Sequence, residues 1–135
     1  MEIEDRIYGE VGITEPVLIE IINSPEIQRL KDIGQMGIPE KWYHFPCYSR
    51  YEHSVGVMVL LRNLGASLEE QIAGLTHDMS HTAFSHLIDW IYGSSLNEDY
   101  QDNSHKSYFD KSNIKKILEE YGFNNKRIAE PHNFS

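Results

Sequence analysis

The stretch from Glu52 to Asp78 constrains the fold more than any other. Val55, Met58, Leu61 and Leu64 recur at three- to four-residue steps, the period of one helix face, and Gly65 supplies a stop. Ser67 and Glu70 then form an S-x-x-E capping box, the signature of a helix start. Ile72, Ala73, Leu75 and Thr76 carry that second helix to His77-Asp78. Two helices of similar length on either side of a tight turn fold back on each other. The beginning of the first then lies beside the end of the second, so His53, His77 and Asp78 are expected at one point. Two imidazoles and a carboxylate suit a borderline divalent ion such as Mn, Fe, Co, Ni or Zn, which lowers the pKa of a bound water toward ~7. A plainer reading has Asp78 capping the next turn and His77 bonding a backbone carbonyl. Spacing alone leaves both open.

The rest of the chain reads as helical around this pair. Ile3 to Ile13 reads as a short hairpin or extended arm, with glycines at 9 and 12. Thr14 is the expected N-cap of a helix with Pro16 in its first turn and Val17, Leu18, Ile21 and Ile22 on one face. Ser24-Pro25 opens another, with Ile27, Leu30 and Ile33 on its face and Gly34 as its stop. Between Gly34 and Tyr51 the pattern is irregular, and Trp42, Tyr43, Phe45 and Tyr48 are expected to pack that loop as core. Ala83 to Tyr92 reads as a helix, 94–103 as a polar loop, and Ser104 as a short helix start. Ser112 reads as the cap of a helix with Ile114, Ile117, Leu118 and Tyr121 on one face and Gly122 as stop. The expectation is an all-α domain with a short N-terminal hairpin or arm.

Composition narrows the function. The 135 residues suit one domain, and 40% hydrophobic content is enough for a core. A formal charge of -9 speaks against a general nucleic-acid binder, which needs a basic face. A single cysteine, Cys47, excludes an internal disulfide framework and fits a reducing compartment. The longest apolar stretch, Val55 to Leu61, is far short of a membrane span, and the acidic N-terminus is unlike a signal peptide. A cytoplasmic protein is expected, with homo-oligomerisation left open. Five of the seven histidines, His44, His53, His77, His81 and His86, fall in the least charged block, 41–90, and His105 follows.

Two runs bring in a resemblance. Ser49-Arg50-Tyr51-Glu52-His53-Ser54-Val55-Gly56-Val57 resembles the R-[FY]-E-H-S-x-G-V signature of the HD-domain phosphohydrolases. Ile72-Ala73-Gly74-Leu75-Thr76-His77-Asp78-Met79-Ser80-His81-Thr82-Ala83-Phe84-Ser85-His86 resembles their I-A-G-L-x-H-D-[IVL]-[GS]-H-x-x-F-S-H. Ser24 to Leu30 and Ile33 to Gly37 are similar to the upstream stretch of the same family. The likeness covers roughly residues 5 to 129 and is closest to the branch holding the dNTP triphosphohydrolases.

The resemblance implies an HD-like helical bundle that hydrolyses a phosphoester or phosphoanhydride, with a nucleotide as the favoured small-molecule substrate. It implies His53, His77 and Asp78 as ligands of a divalent ion (Mn, Fe, Ni, Co, Zn or Mg). It implies Arg50 on a phosphate, Gln35 on a sugar, and His81 on a phosphate or as a proton donor. His86 and Asp89 would sit as a pair at the edge of the site, and His105 would protonate the leaving group, although Lys106 stands where the family has glutamate. The family's fourth ligand, an aspartate on a later helix, has no counterpart here. Ile128 to Ser135 resembles the stretch leading into it, so that ligand is expected beyond residue 135 and the chain is expected to be an N-terminal portion of the domain. Two rivals stand beside this. A zincin-like peptidase would use His77-Asp78-x-x-His81, but aspartate is one methylene short of the required glutamate. A non-catalytic module would bind nucleotide or metal without turnover.

Overall fold

In a computed structural model the described residues are 1–36, 40–42, 46–80 and 99–130. The chain opens with an antiparallel hairpin, β1 (Glu2–Asp5) and β2 (Gly9–Gly12), in which Glu2 faces Gly12 and Asp5 faces Gly9. Asp5 holds its tip: Oδ1 accepts from the backbone N–H groups of Ile7 (2.8 Å) and Tyr8 (2.9 Å), and Gly9 takes φ +73° to close the turn.

Helix α1 (Pro16–Ile22) buries Val17, Leu18, Ile21 and Ile22, as the spacing predicts. Its N-cap is Glu15 rather than Thr14, and no side chain caps it. Pro16 at the first position has no N–H to satisfy. Helix α2 (Pro25–Gln28) runs into a 3-10 turn, Arg29–Asp32, and Ile27, Leu30 and Ile33 are buried along them. Ser24 does not cap α2, because its hydroxyl donates to the Ile21 carbonyl instead (2.6 Å).

Helices α3 (Arg50–Asn63) and α4 (Leu68–Thr76) form the expected pair. Gly65, at φ +80°, ends α3 in a Schellman motif: Ala66 N–H bonds Leu61 O and Gly65 N–H bonds Arg62 O. The capping box then starts α4, with Ser67 Oγ accepting from Glu70 N–H and Ser67 N–H donating to Glu70 Oε2 at 2.7 Å. The buried stripe of α3 is Val55, Met58 and Val59, whereas Leu64, expected on it, is 73% exposed. Packing direction, not hydrophobic content alone, chose which stripe faces inward.

Helix α5 spans Asp99–Lys111, so residues 99–103 are helical rather than loop. That segment lacks apolar periodicity, yet acidic residue types at 99 and 102 suit the positive end of a helix. Helix α6 (Asn113–Glu120) buries Ile114, Ile117 and Leu118 and leaves Tyr121 outside. Ser112 stands at its N-cap, but its hydroxyl bonds Phe109 O. The Asn113 N–H is taken by Glu26 of α2 at 2.7 Å. Gly122, at φ +77°, repeats the Schellman ending, and α7 (Asn125–Ala129) follows with Asn124 as cap.

The core is aliphatic and shared by α1 to α7, with Phe109 at its centre side of α5. Of the loop aromatics, Trp42 and Tyr48 are not part of it. Trp42 is 69% exposed and Tyr48 41%, because the aliphatic side chains already fill the interior. Tyr43, Phe45 and the helix expected over 83–92 lie outside the described residues. Among the described residues no helix is long and apolar enough to cross a membrane.

Candidate metal centre

Antiparallel packing of α3 on α4 sets the site. Gly74 lets the two helices approach: a Cβ there would stand 2.5 Å from Leu61 Cδ1 and 3.1 Å from Val57 Cγ1. His53, one turn into α3, then lies over His77 at the end of α4, with ring centroids 5.2 Å apart and planes at 63°. Asp78 lies just beyond that end, between them. Its Oδ1 is 3.4 Å from His77 Nε2 and its Oδ2 is 3.7 Å from His53 Nε2. One donor atom from each of the three lies within 4.8 Å of the others.

The donor chemistry fits a divalent cation. His77 Nδ1 stands 2.5 Å from Gly74 O, which can only accept, so Nδ1 carries the proton of that bond. In the neutral form of the ring it is then the Nε2 lone pair that faces Asp78. This backbone bond was the plainer alternative for His77; it also fixes the tautomer a metal ligand needs. Two imidazole nitrogens and a carboxylate that converge form a donor set for a divalent ion, in addition to the guanidinium that pairs with Asp78. His53, His77 and Asp78 are the residues that would hold that ion.

Asp78 is 7% exposed and Arg50 1%. The Arg50 guanidinium donates from Nη1 to Asp78 Oδ2 at 2.9 Å. A buried carboxylate needs such a partner. Sequence reasoning placed Arg50 on a phosphate or in a surface ion pair; the pair exists and is buried. Ser49 at the N-cap of α3, accepting from Glu52 N–H, fixes where the helix begins and so where Arg50 and His53 project.

His105, buried on α5, has Nδ1 3.1 Å from Ser80 Oγ and shares with His77 a cavity of about 210 Å³ that Gly74 and Ile128 also line. Gln35 is set beside the start of α3 by its backbone bond to Tyr48 O, and its buried side-chain oxygen has no hydrogen-bond partner. His81, His86 and Asp89 lie outside the described residues. Sequence reading missed Gly74 and Ser80. A glycine three residues before a candidate ligand was the available signal for the first; nothing local marks the second.

The family model described as HD domain matches residues 50–135. The chain belongs to the HD domain family. HD domains are metal-dependent, which agrees with the donor set of His53, His77 and Asp78. The chain is 45% identical over 132 residues to the Bacillus subtilis protein named "Uncharacterized protein YdhJ", covering 95% of this chain and 39% of that one. It is 39% identical over 128 residues to the Cordyceps militaris "Metal-dependent phosphohydrolase cns2", covering 95% and 37%. It is 33% identical over 151 aligned positions to human "Deoxynucleoside triphosphate triphosphohydrolase SAMHD1", covering 89% and 22%. The chain thus spans about two fifths or less of the length of these relatives.

Proposed function

We propose that the chain forms the metal-binding part of a phosphohydrolase that cleaves a phosphoester or phosphoanhydride of a nucleotide. The convergence of two imidazole nitrogens on one buried carboxylate, with the His77 tautomer fixed by Gly74 O, carries this assignment. The names of the Cordyceps and human relatives agree with it. A divalent ion held by His53, His77 and Asp78 would supply Lewis acidity and an ionised water near neutral pH. A fourth ligand from a later helix would complete the set.

The chain's own groups do the rest. Arg50 orients Asp78 through Nη1. The planar fork of N–H donors on a guanidinium suits a phosphate oxygen, the role assigned to Arg50 beside the metal cluster. Gln35 offers its unsatisfied carbonyl oxygen to a sugar hydroxyl. His105, steadied by Ser80, gives a proton to the leaving oxygen, and His81, His86 and Asp89 assist with phosphate and proton.

The test is metal analysis with a phosphate-release screen over a nucleotide panel, on wild type and Asp78→Ala. Bound metal and phosphate release, both lost in Asp78→Ala, are expected. Nucleotide binding with no release would favour the non-catalytic module, and peptide cleavage without phosphate release would favour the peptidase.

A further inference from the structure

A cavity of about 380 Å³ opens between the hairpin tip and the outer face of α3, within the range of small-molecule sites. His53 lines it and also belongs to the metal cluster, so a ligand there lies against the imidazole whose Nε2 faces Asp78. Gly56 leaves part of the α3 face without a side chain, and Tyr8 and Tyr48, 37% and 41% exposed, present aromatic rings to the same space.

Asp5 gives the cavity its polarity. Its Oδ1 is spent twice on the turn, on the N–H groups of Ile7 and Tyr8. Its Oδ2 lies 3.8 Å from where a Gly56 Cβ would stand and has no hydrogen-bond partner among the described residues. The other carboxylate of the lining, Glu52, is engaged by Arg6 at 3.0 Å. A flat patch of helix, two tyrosine rings and one unspent acceptor suit a planar ring that carries an N–H donor. They do not suit a phosphate, which Asp5 would repel.

We propose that this cavity is the specificity pocket for the leaving group, and that it takes a heteroaromatic ring bearing an exocyclic amino group. Asp5 Oδ2 accepts from that amino group, and the tyrosines pack on the ring. This rests on the phosphohydrolase reading above and deepens it: the phosphate end is held at the metal cluster and the base end under the hairpin.

The test is calorimetric titration of the chain with adenosine and with inosine, which differ at C6, amino against oxo, and at N1, a bare acceptor against an N–H. Wild type is expected to bind adenosine about tenfold more tightly, the worth of one hydrogen bond to a charged acceptor. Gly56→Leu fills the cavity from a helix position with room for a side chain and is expected to abolish binding of both. Asp5→Asn keeps Oδ1 for the turn and replaces Oδ2 with a donor, so it is expected to reverse the preference toward inosine. Undetectable adenosine binding at millimolar concentration, unchanged affinity in Gly56→Leu, or the same adenosine-to-inosine ratio in Asp5→Asn and wild type would each overturn the proposal. Mn2+ uptake, and phosphate release from a nucleotide panel, are measured on the same protein preparations. Their loss bears on the phosphohydrolase reading alone, since none of the nucleoside outcomes requires turnover.

Discussion

At the scale of single residues, Asp78 and Arg50 depend on each other. The carboxylate sits in a nearly closed environment and the guanidinium is closed entirely. Removing one charge strands the other, and breaking a buried pair costs on the order of 3–5 kcal/mol. Arg50→Met is therefore expected to lower unfolding stability by about 3 kcal/mol in urea titration, well beyond an ordinary surface change. Asp78→Asn removes the anionic ligand, so bound divalent metal, read by elemental analysis after dialysis, is expected to disappear.

The helical elements are set largely by their ends. Ser67→Ala removes the acceptor for Glu70 N–H and is expected to cost about 1 kcal/mol of stability. Glu70 adds a pH signature. The hydrogen bonds from Ser67 hold its carboxyl below the ordinary value of 4.5, with desolvation opposing weakly. A folded-state pKa below the unfolded one gives stability that is present above the unfolded value and is lost as pH falls through the folded value. The Tm difference between wild type and Glu70→Gln is thus expected at neutral pH and absent well below pH 4.5. Gly74 governs helix spacing rather than helix ends. Gly74→Leu would drive side-chain atoms into Leu61 and Val57, and is expected to destabilise by about 1–3 kcal/mol and to weaken metal uptake by parting His53 from His77.

At the scale of the whole molecule, metal binding and folding are linked, because the three donors come from two helices that only the fold brings together. Mn2+ at a hundred times its Kd is expected to stabilise the fold by about 2.7 kcal/mol, seen as a concentration-dependent rise in Tm that Asp78→Asn lacks.

The capping box, the glycine stops at 65 and 122, the hairpin, and the convergence of His53 with His77 and Asp78 were all legible in the sequence. Each follows from local backbone chemistry or from the tendency of consecutive amphipathic helices across a short turn to fold back on each other. Tertiary structure alone decided the rest. It buried Arg50 against Asp78, capped α6 with Glu26 from 87 residues away, paired Ser80 with His105, and turned Trp42 and Leu64 outward. None of these has a period or a motif. They depend on which donor, acceptor or vacant space a distant segment offers once the helices have packed.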